Sequence, residues 1–191
     1  GNIYEGDFVE GSMSGVGSFR FINGDVYEGE VVDGQLHGKG RFVYNYGDVY
    51  EGCWAHGKKH GQGALKQKLR HYDGEWRGDQ MCGHGTLRIF PKTSTSRDGY
   101  VYKGQVFEGC RHGKGTCRYD NGDVYEGQWY QDQPQGQGVL QSKSEGGFRY
   151  IGTFRKGMRH DEVAVCVFTC GDRYEGAFHE NAMTGAGRMV Y

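Results

Sequence analysis

Residue types that could do chemistry recur along this chain instead of gathering at one place. Two glycine–lysine–glycine stretches, Gly38-Lys39-Gly40 and Gly113-Lys114-Gly115-Thr116, have the composition of phosphate-binding loops. A nucleotide P-loop requires Gly-x-x-x-x-Gly-Lys-Ser/Thr between a strand and a helix. Here a glycine follows each lysine and the flanking sequence predicts strand, so the pattern argues against nucleotide binding.

Histidine and cysteine are the side chains that could bind a metal. Cys82 and four histidines share one place in successive copies of a repeated motif: His37, His60, His112 and His160. Zinc ligands approach one ion to about 2.0 to 2.3 Å, whereas these side chains are a whole copy apart and point the same way, which favours a role in stabilising turns. Cys166 and Cys170 are too few for a site by themselves. No cofactor is predicted, and zinc held between two chains by a Cys or His from each stays open as an alternative.

The acidic residues form a row along the repeats and not one isolated pair. They follow the same tyrosine in successive copies: Glu5, Glu28, Glu51, Asp73, Glu126 and Glu175. A catalytic carboxylate pair should occur once, and such a row is typical of a solvated strand face that pairs with Lys39 or Arg41 across strands. The sequence therefore predicts that the chain is not an enzyme.

These residues are positioned by a repeat whose clearest copy spans residues 27–44. A Tyr-x-Gly opens each copy, at a period of about 23 residues, with starts at Tyr4, Tyr27, Tyr50, Tyr72, Tyr102, Tyr125, Tyr150 and Tyr174. We expect residues 1–191 to be one continuous array of eight repeats, the last cut short, and a fragment of a longer array.

Within a repeat, apolar and polar residues alternate, a glycine-containing link interrupts them, and the alternation resumes. This pattern predicts two antiparallel strands in a hairpin. Asn-Gly and Gly-Asp pairs, as in Asn23-Gly24-Asp25, favour tight turns into the next repeat. The predicted fold is all-β: an elongated, twisted, single-layer antiparallel meander of about eight β-hairpins, on the order of 75 Å long at ~4.8 Å per strand.

Three positions of the repeat predict how it packs. Two residues after each tyrosine stands a glycine, which we interpret as space for a ring lying over the backbone. Seven residues after it stands Gly, Asp or Asn, the residues that most readily adopt positive φ, so a turn is predicted there. Four residues after it stands an aromatic residue or valine: Phe8, Val31, Trp54, Trp76, Val106, Trp129, Phe154 and Phe178.

The composition limits the class of protein. The 191 residues include 36 glycines, 14 tyrosines and two prolines, which suits repetitive β structure but lacks the every-third-residue glycine of collagen. A net charge of −1 argues against nucleic-acid binding. The sequence contains no apolar run of about 18 residues and no hydrophobic leader, so neither a membrane span nor secretion is predicted. The six cysteines are scattered through the repeat, which favours reduced thiols and a cytoplasmic location.

Three repeats depart from the pattern. Residues 91–99 lengthen the fourth repeat with a Ser/Thr run, predicted to be a surface loop that is either a phosphorylation site or simply solvated. Residues 142–147 lengthen the sixth. In the seventh, Asp161-Glu162-Val163 replaces the usual Gly-x-Gly, and we expect a bulge or a different packing there.

Tyr50-Glu51-Gly52-Cys53-Trp54 followed by His60-Gly61-Gln62-Gly63 resembles the membrane occupation and recognition nexus (MORN) repeat. The resemblance covers nearly the whole chain, departing at Ile151 and at the seventh Gly-x-Gly. It implies a rod of hairpins that acts as a non-catalytic scaffold in cytoskeletal or membrane-apposed assemblies. Several members self-associate, so a homodimer is expected.

A single-layer sheet cannot bury all its rings, so we expect the aromatic face, including Phe21 and Tyr44, to leave a long, partly exposed groove. Such apolar patches usually mark a contact surface, although packing of rings on glycine could consume it. A protein or peptide partner is predicted to bind along Phe8, Phe19, Tyr27, Phe42, Tyr50, Trp54, Tyr72, Trp76, Tyr102, Tyr125 and Trp129.

Two other functions stay open from the sequence. One is a platform for phosphoinositide headgroups or an anionic membrane, for which the basic clusters are Lys58-Lys59-His60 and Arg155-Lys156 with Arg159. The acidic row on one strand face weakens this alternative. The other is a regulatory array within a larger enzyme.

Overall fold

The computed structural model describes residues 1–144 and 146–191; residue 145, in the insertion of the sixth repeat, lies outside the described residues. The described part consists of strands, turns and loops, which confirms the all-β prediction. Among these residues, no helix has the length and apolar character needed to cross a bilayer. The chain divides into two compact units, Gly1–Leu87 and Arg88–Tyr191, called the N-terminal and C-terminal units.

Hairpins follow one another in the N-terminal unit. Strands β1 to β7 pair antiparallel, each with the next along the chain, so they form the predicted meander. The last residues of β8 lie past the unit boundary. The strands are β1 (Ile3–Val9), β2 (Ser12–Arg20), β3 (Val26–Val32), β4 (Gln35–Val43), β5 (Val49–Ala55), β6 (Lys58–Lys66), β7 (Arg70–Arg77) and β8 (Gln80–Ile89).

The C-terminal unit continues the same order. Its strands pair antiparallel with their sequence neighbours, and β13 pairs with both β14 and β15. Residues 91–99 form the predicted loop ahead of the first strand. The strands are β9 (Tyr100–Phe107), β10 (Cys110–Tyr119), β11 (Val124–Tyr130), β12 (Gln133–Gln141), β13 (Phe148–Arg155), β14 (Met158–Arg159), β15 (Asp161–Phe168), β16 (Arg173–His179) and β17 (Ala182–Val190).

Each hairpin turns through two residues that both have positive φ. The second of them lies seven residues after the tyrosine, as predicted. This backbone conformation is a type I′ turn, whose twist matches that of the flanking strands. The eight pairs are Glu10-Gly11, Asp33-Gly34, His56-Gly57, Gly78-Asp79, Glu108-Gly109, Gln131-Asp132, Lys156-Gly157 and Glu180-Asn181.

The core of a repeat is a tyrosine ring that lies on glycine backbone. In the second repeat Gly29 and Gly40 face each other across the hairpin, and a Cβ on Gly29 would lie 2.6 Å from the Tyr27 hydroxyl. That hydroxyl donates a hydrogen bond to the carbonyl oxygen of Glu30 at 2.7 Å. Tyr27 is fully buried. Glycine is required because any side chain would occupy the space of the ring.

The ring four residues after the tyrosine joins one repeat to the next. Trp54 lies edge-to-face against Tyr27 of the preceding repeat and Tyr50 of its own, with ring centroids 5.7 and 5.0 Å away. Its indole N–H donates to the Gly40 carbonyl at 3.3 Å. Trp129 bridges Tyr102 and Tyr125 in the same way. We call this alternating stack the ring column; each repeat packs on its immediate neighbours, as in other solenoids.

The seventh repeat contains the expected irregularity. Its second strand is split into β14 and β15, and the pairing of β15 with β16 shifts register between Asp161 and Ala164. The Asp161 carboxylate accepts the backbone N–H of Thr153 at 2.7 Å. Because the bulge absorbs the extra residue, Cys166 again lies opposite Tyr150. Ala164 is buried at the strand position where the regular repeats have glycine.

Adding a methyl group under a ring tests this packing. At Gly138 a Cβ would lie 2.7 Å from Cε2 of Tyr125, so we expect Gly138→Ala to lower the free energy of unfolding by about 3 kcal/mol. Urea denaturation measures the loss. In a Tyr125→Leu background, which lacks the ring, the same substitution should cost far less. Equal costs in the two backgrounds would contradict ring-on-glycine packing.

Alkaline pH should unfold the protein through its buried tyrosines. Burial raises the pKa of Tyr27 from 10.0 to about 12, and burial likewise raises that of Tyr102 to about 12. A raised pKa means that this stabilisation is complete below about pH 10 and is lost as the pH rises toward about 12. Urea titrations at stepped pH should show stability falling above pH 10, with a shallower fall in Tyr27→Phe. Unchanged stability through this range would refute the assignment.

Candidate functional site

Ten of the eleven residues predicted to form a partner-binding groove lie within the packed rings. Only Phe8 is exposed, at 62%, while the others are at most 9% exposed. The structure therefore differs from the expected partial exposure, because each ring is covered by glycine backbone on one side and by rings of adjacent repeats on the other. The accessible surface lies beside these ten: Phe19, Tyr27, Phe42, Tyr50, Trp54, Tyr72, Trp76, Tyr102, Tyr125 and Trp129.

A ladder of aromatic rings flanks the ring column in the N-terminal unit. Phe21 stacks between Phe19 and Phe42, with centroids 5.7 Å from each, and Tyr44 stacks on Tyr46 at 5.3 Å. Phe21 and Tyr44 are half-buried, but Tyr46 is 71% exposed. Phe21 and Tyr44 were predicted from the sequence as part of the aromatic face, but Tyr46 was not, because its only signal is its place in an Asn-Tyr-Gly turn.

A concavity of about 620 Å³ opens beside this ladder. We call it the N-terminal pocket. Aromatic and aliphatic residues make up much of its lining: Phe19, Phe21, Ile22, Leu36 and Phe42. Ile22 is 80% exposed, so the pocket has an accessible apolar side.

Polar groups converge on the same pocket, namely Asn2, Asn23 and Asp25. The Asp25 carboxylate accepts the Asn45 backbone N–H at 2.8 Å and the Asn23 side-chain amide at 2.8 Å. Within residues 1–144 and 146–191, none of the ion pairs involves Asp25. The pocket therefore combines ring faces with a carboxylate that has no cationic partner there.

In the C-terminal unit an arginine occupies the equivalent place. Arg111, nine residues after Tyr102, lies with its guanidinium carbon 4.6 Å from the Tyr100 ring centre and 4.3 Å from that of Trp129. Its Nε lies 3.1 Å from Oδ1 of Asp132, and its side chain is 11% exposed. Burial lowers the pKa of Arg111, whereas Tyr100, Asp132, Cys117 and Tyr119 together raise it by more. The net pKa is raised, so this group is a stable cation.

The seventh repeat repeats this arrangement. The Arg159 guanidinium carbon lies 4.5 Å from the Phe148 ring centre and 5.1 Å from that of Phe178. Its Nη2 donates to the Asn181 carbonyl at 2.8 Å. In the third repeat Lys59 takes this place, 5.7 Å from the Trp76 ring centre. We call the space that these three side chains fill the cation slot.

The residue at the cation-slot position and the turn residue of the next repeat vary together. Where a cation fills the slot, that turn carries Asp or Asn, whose Oδ1 accepts the backbone N–H of the cationic residue at 2.9 to 3.0 Å: Lys59 with Asp79, Arg111 with Asp132, and Arg159 with Asn181. Where an uncharged residue stands there, the turn carries glycine: Met13 with Gly34, Leu36 with Gly57, Met81 with Gly109, and Pro134 with Gly157. Alignment of the repeats would have revealed this rule, which the sequence analysis missed.

The other candidate residues lie apart from this region. Arg41 is opposite Glu28 on one neighbouring strand and Glu51 on the other, as predicted, whereas Ser18 and Ala64 take the corresponding place between other acidic residues of the row. The imidazoles of His37 and His56 are 5.6 Å apart. Over the described ranges, no group of three or more His, Cys, Asp or Glu side chains is arranged to hold a metal ion.

The geometry first defines a class of protein: hairpin repeats that stack through aromatic rings, with surface side chains that vary from repeat to repeat. The MORN repeat pattern matches residues 4–26, 27–49, 50–66, 72–89, 102–124, 125–146, 150–160 and 174–191. The chain therefore belongs to the MORN repeat family.

The chain also resembles alsin. It is 34% identical over 128 residues to alsin from Mus musculus, Pan troglodytes and Homo sapiens, a match that covers 59% of this chain and 7% of each alsin. The chain thus spans a small part of the length of these curated relatives.

Removing a slot cation should destabilise the C-terminal unit. We expect Arg111→Met to cost about 2 kcal/mol, since the substitution removes two cation–π contacts and leaves Asp132 without its cation. The control is Arg155→Met at an exposed arginine of the same unit, which should change stability by less than about 0.5 kcal/mol. Thermal unfolding compares the two. Equal, small effects would show that the slot is not a stabilising contact.

Proposed function

We propose that this MORN repeat scaffold is non-catalytic and binds an extended protein segment along its aromatic face, through the ladder and pocket of the N-terminal unit. The observation that carries the proposal is the open pocket bordered by Ile22 at 80% exposure, together with the aromatic ladder, in which Tyr46 stacks on Tyr44 and is 71% exposed. Exposed aromatic and aliphatic anchors beside a concavity are the features of interface hot spots.

The packing of the rings supports a binding role away from the ring column. Column rings such as Trp54 and Trp76 are 5% exposed or less, so a partner would gain little area on them. Each repeat presents the same backbone frame, while the flanking side chains differ between repeats. A segment lying along the sheet would then read these side chains in succession, as peptides do in other grooves.

The setting we propose is a cytoskeletal or membrane-apposed assembly, with self-association into a dimer as part of it. The match to 7% of alsin also makes a regulatory array within a larger protein part of the proposal. A direct lipid platform is less supported, because Lys59 and Arg159, two of its basic residues, are folded against rings.

Selection of peptides from a displayed library by the purified chain, followed by titration of a selected peptide, tests the binding surface. We expect Ile22→Asp with Tyr46→Ser to weaken binding by about tenfold or more while leaving the melting temperature unchanged, because both side chains are exposed. The matched control is Phe107→Ser with Tyr130→Ser, aromatic residues 56% and 54% exposed in the C-terminal unit.

Retained affinity in this control supports the proposal. Loss of binding in the control together with retained binding in the Ile22/Tyr46 variant would place the partner elsewhere and refute it.

A further inference from the structure

We infer that the N-terminal pocket receives the side chain of an arginine from a partner protein segment. The inference rests on the proposed function and names the chemistry that the partner must bring.

The repeat positions make the pocket equivalent to a cation slot. The pocket is lined by residues of the same columns that surround Arg111, so it is the cation slot of the first repeats. Leu36 stands where Arg111 stands, Phe42 where Cys117 stands, and Gly57 where Asp132 stands. Where a cation fills this space elsewhere in the chain, it is an arginine in two repeats and a lysine in one.

The slots of the first two repeats have no resident cation. Met13 and Leu36 occupy the arginine position in the first two repeats, and neither can supply a charge. The rings nearby are therefore not covered by a guanidinium as those of Tyr100 and Trp129 are. What remains is an open volume of about 620 Å³, ample for an arginine side chain.

The charge of the pocket also favours a cation. Where an arginine fills the slot, the residue two positions before the tyrosine is aromatic, Tyr100 or Phe148, whereas in the pocket it is Asp25. A carboxylate has about four acceptor sites, and Asp25 uses two for Asn23 and Asn45. The remaining sites can accept N–H groups of an incoming cation.

Shape also favours a guanidinium. The Phe19 and Phe21 rings are inclined by 18°, and the Phe21 and Phe42 rings by 29°; of the three, Phe21 is the half-buried ring that the pocket leaves accessible. A planar guanidinium can pack against this ring and donate to a carboxylate in its own plane, which an ammonium does less well. The apolar stem of an arginine would lie against Leu36 and Ile22.

A pair of peptides tests the charge. The probes are a short Gly/Ser-rich peptide that carries arginine and the same peptide with citrulline, which keeps the shape and removes the charge. Amide NMR shifts follow each titration of the whole chain. We expect the arginine peptide to shift Phe21, Ile22 and Leu36, and both the citrulline exchange and Asp25→Asn to weaken binding by about tenfold.

A self-blocking variant tests the site. Leu36→Arg with Gly57→Asp reproduces the Arg111–Asp132 pair inside the pocket. The turn accepts it, because Gly57 has φ +73 and open space around its Cβ, while Asp132 has φ 65. We expect this variant to melt no lower than the parent and to lose the arginine peptide. Leu36→Met, which places in this slot the residue type of Met81, is the control and should retain binding.

The outcomes separate this inference from the proposed function. Equal binding of the citrulline peptide, or full binding by the self-blocking variant, overturns the arginine assignment. If the library-selected peptide still binds the Ile22 and Tyr46 surface in either case, the proposed function is kept without the arginine assignment. The last outcome concerns lipid. If phosphatidylcholine vesicles displace the library-selected peptide and the arginine peptide does not, the pocket is assigned to a lipid headgroup, which would also overturn the inference.

Discussion

The structure depends on one contact, a tyrosine ring resting on the bare backbone of two facing glycines. A single layer of sheet has no second layer to cover its apolar side, so each repeat supplies its own cover from the same hairpin. Gly29 and Gly40 leave the space that Tyr27 fills, and the hydroxyl donates a hydrogen bond to the carbonyl oxygen of Glu30. Regular strand pairing, tight type I′ turns and the ring column each require hairpins of the same width and register. All three therefore follow from this contact.

Two contacts hold adjacent repeats together: the ring four residues after the tyrosine, and the cation slot. Trp54 contacts the tyrosines of two repeats, which makes stacking a nearest-neighbour interaction. The slot adds a second, adjustable contact, in which a cation on rings is held by an acidic or amide turn residue of the following repeat. The slot residue of one repeat and the turn residue of the next change together, so each junction between two repeats is described by these two residues. Arg111 with Asp132 and Leu36 with Gly57 are its two forms.

The proposed function rests on which junctions are filled. In the C-terminal unit two arginines occupy their slots and pack on rings. In the first two repeats no cation stands at this position, and the space beside Leu36 is open, with phenylalanine rings and Asp25 around it. In our proposal, the same repeat position serves cohesion in one unit and recognition in the other. This arrangement suits a scaffold, because side chains beside the ring column can change without disturbing the backbone that carries them.

The sequence by itself determined the number of repeats, the hairpin, the turn position, the glycine requirement and the irregular seventh repeat, because period-two alternation and the needs of positive φ are local properties. It also named the aromatic residues that pack over the sheet, though it expected ten of them to be partly exposed. Only the tertiary structure decided their burial, since that depends on how closely Trp54 of one repeat approaches Tyr27 of the preceding one. The cation slot was likewise decided in three dimensions. Arg111, Tyr100 and Asp132 are scattered along the chain, and only strand pairing brings a cation, a ring and a carboxylate to one point.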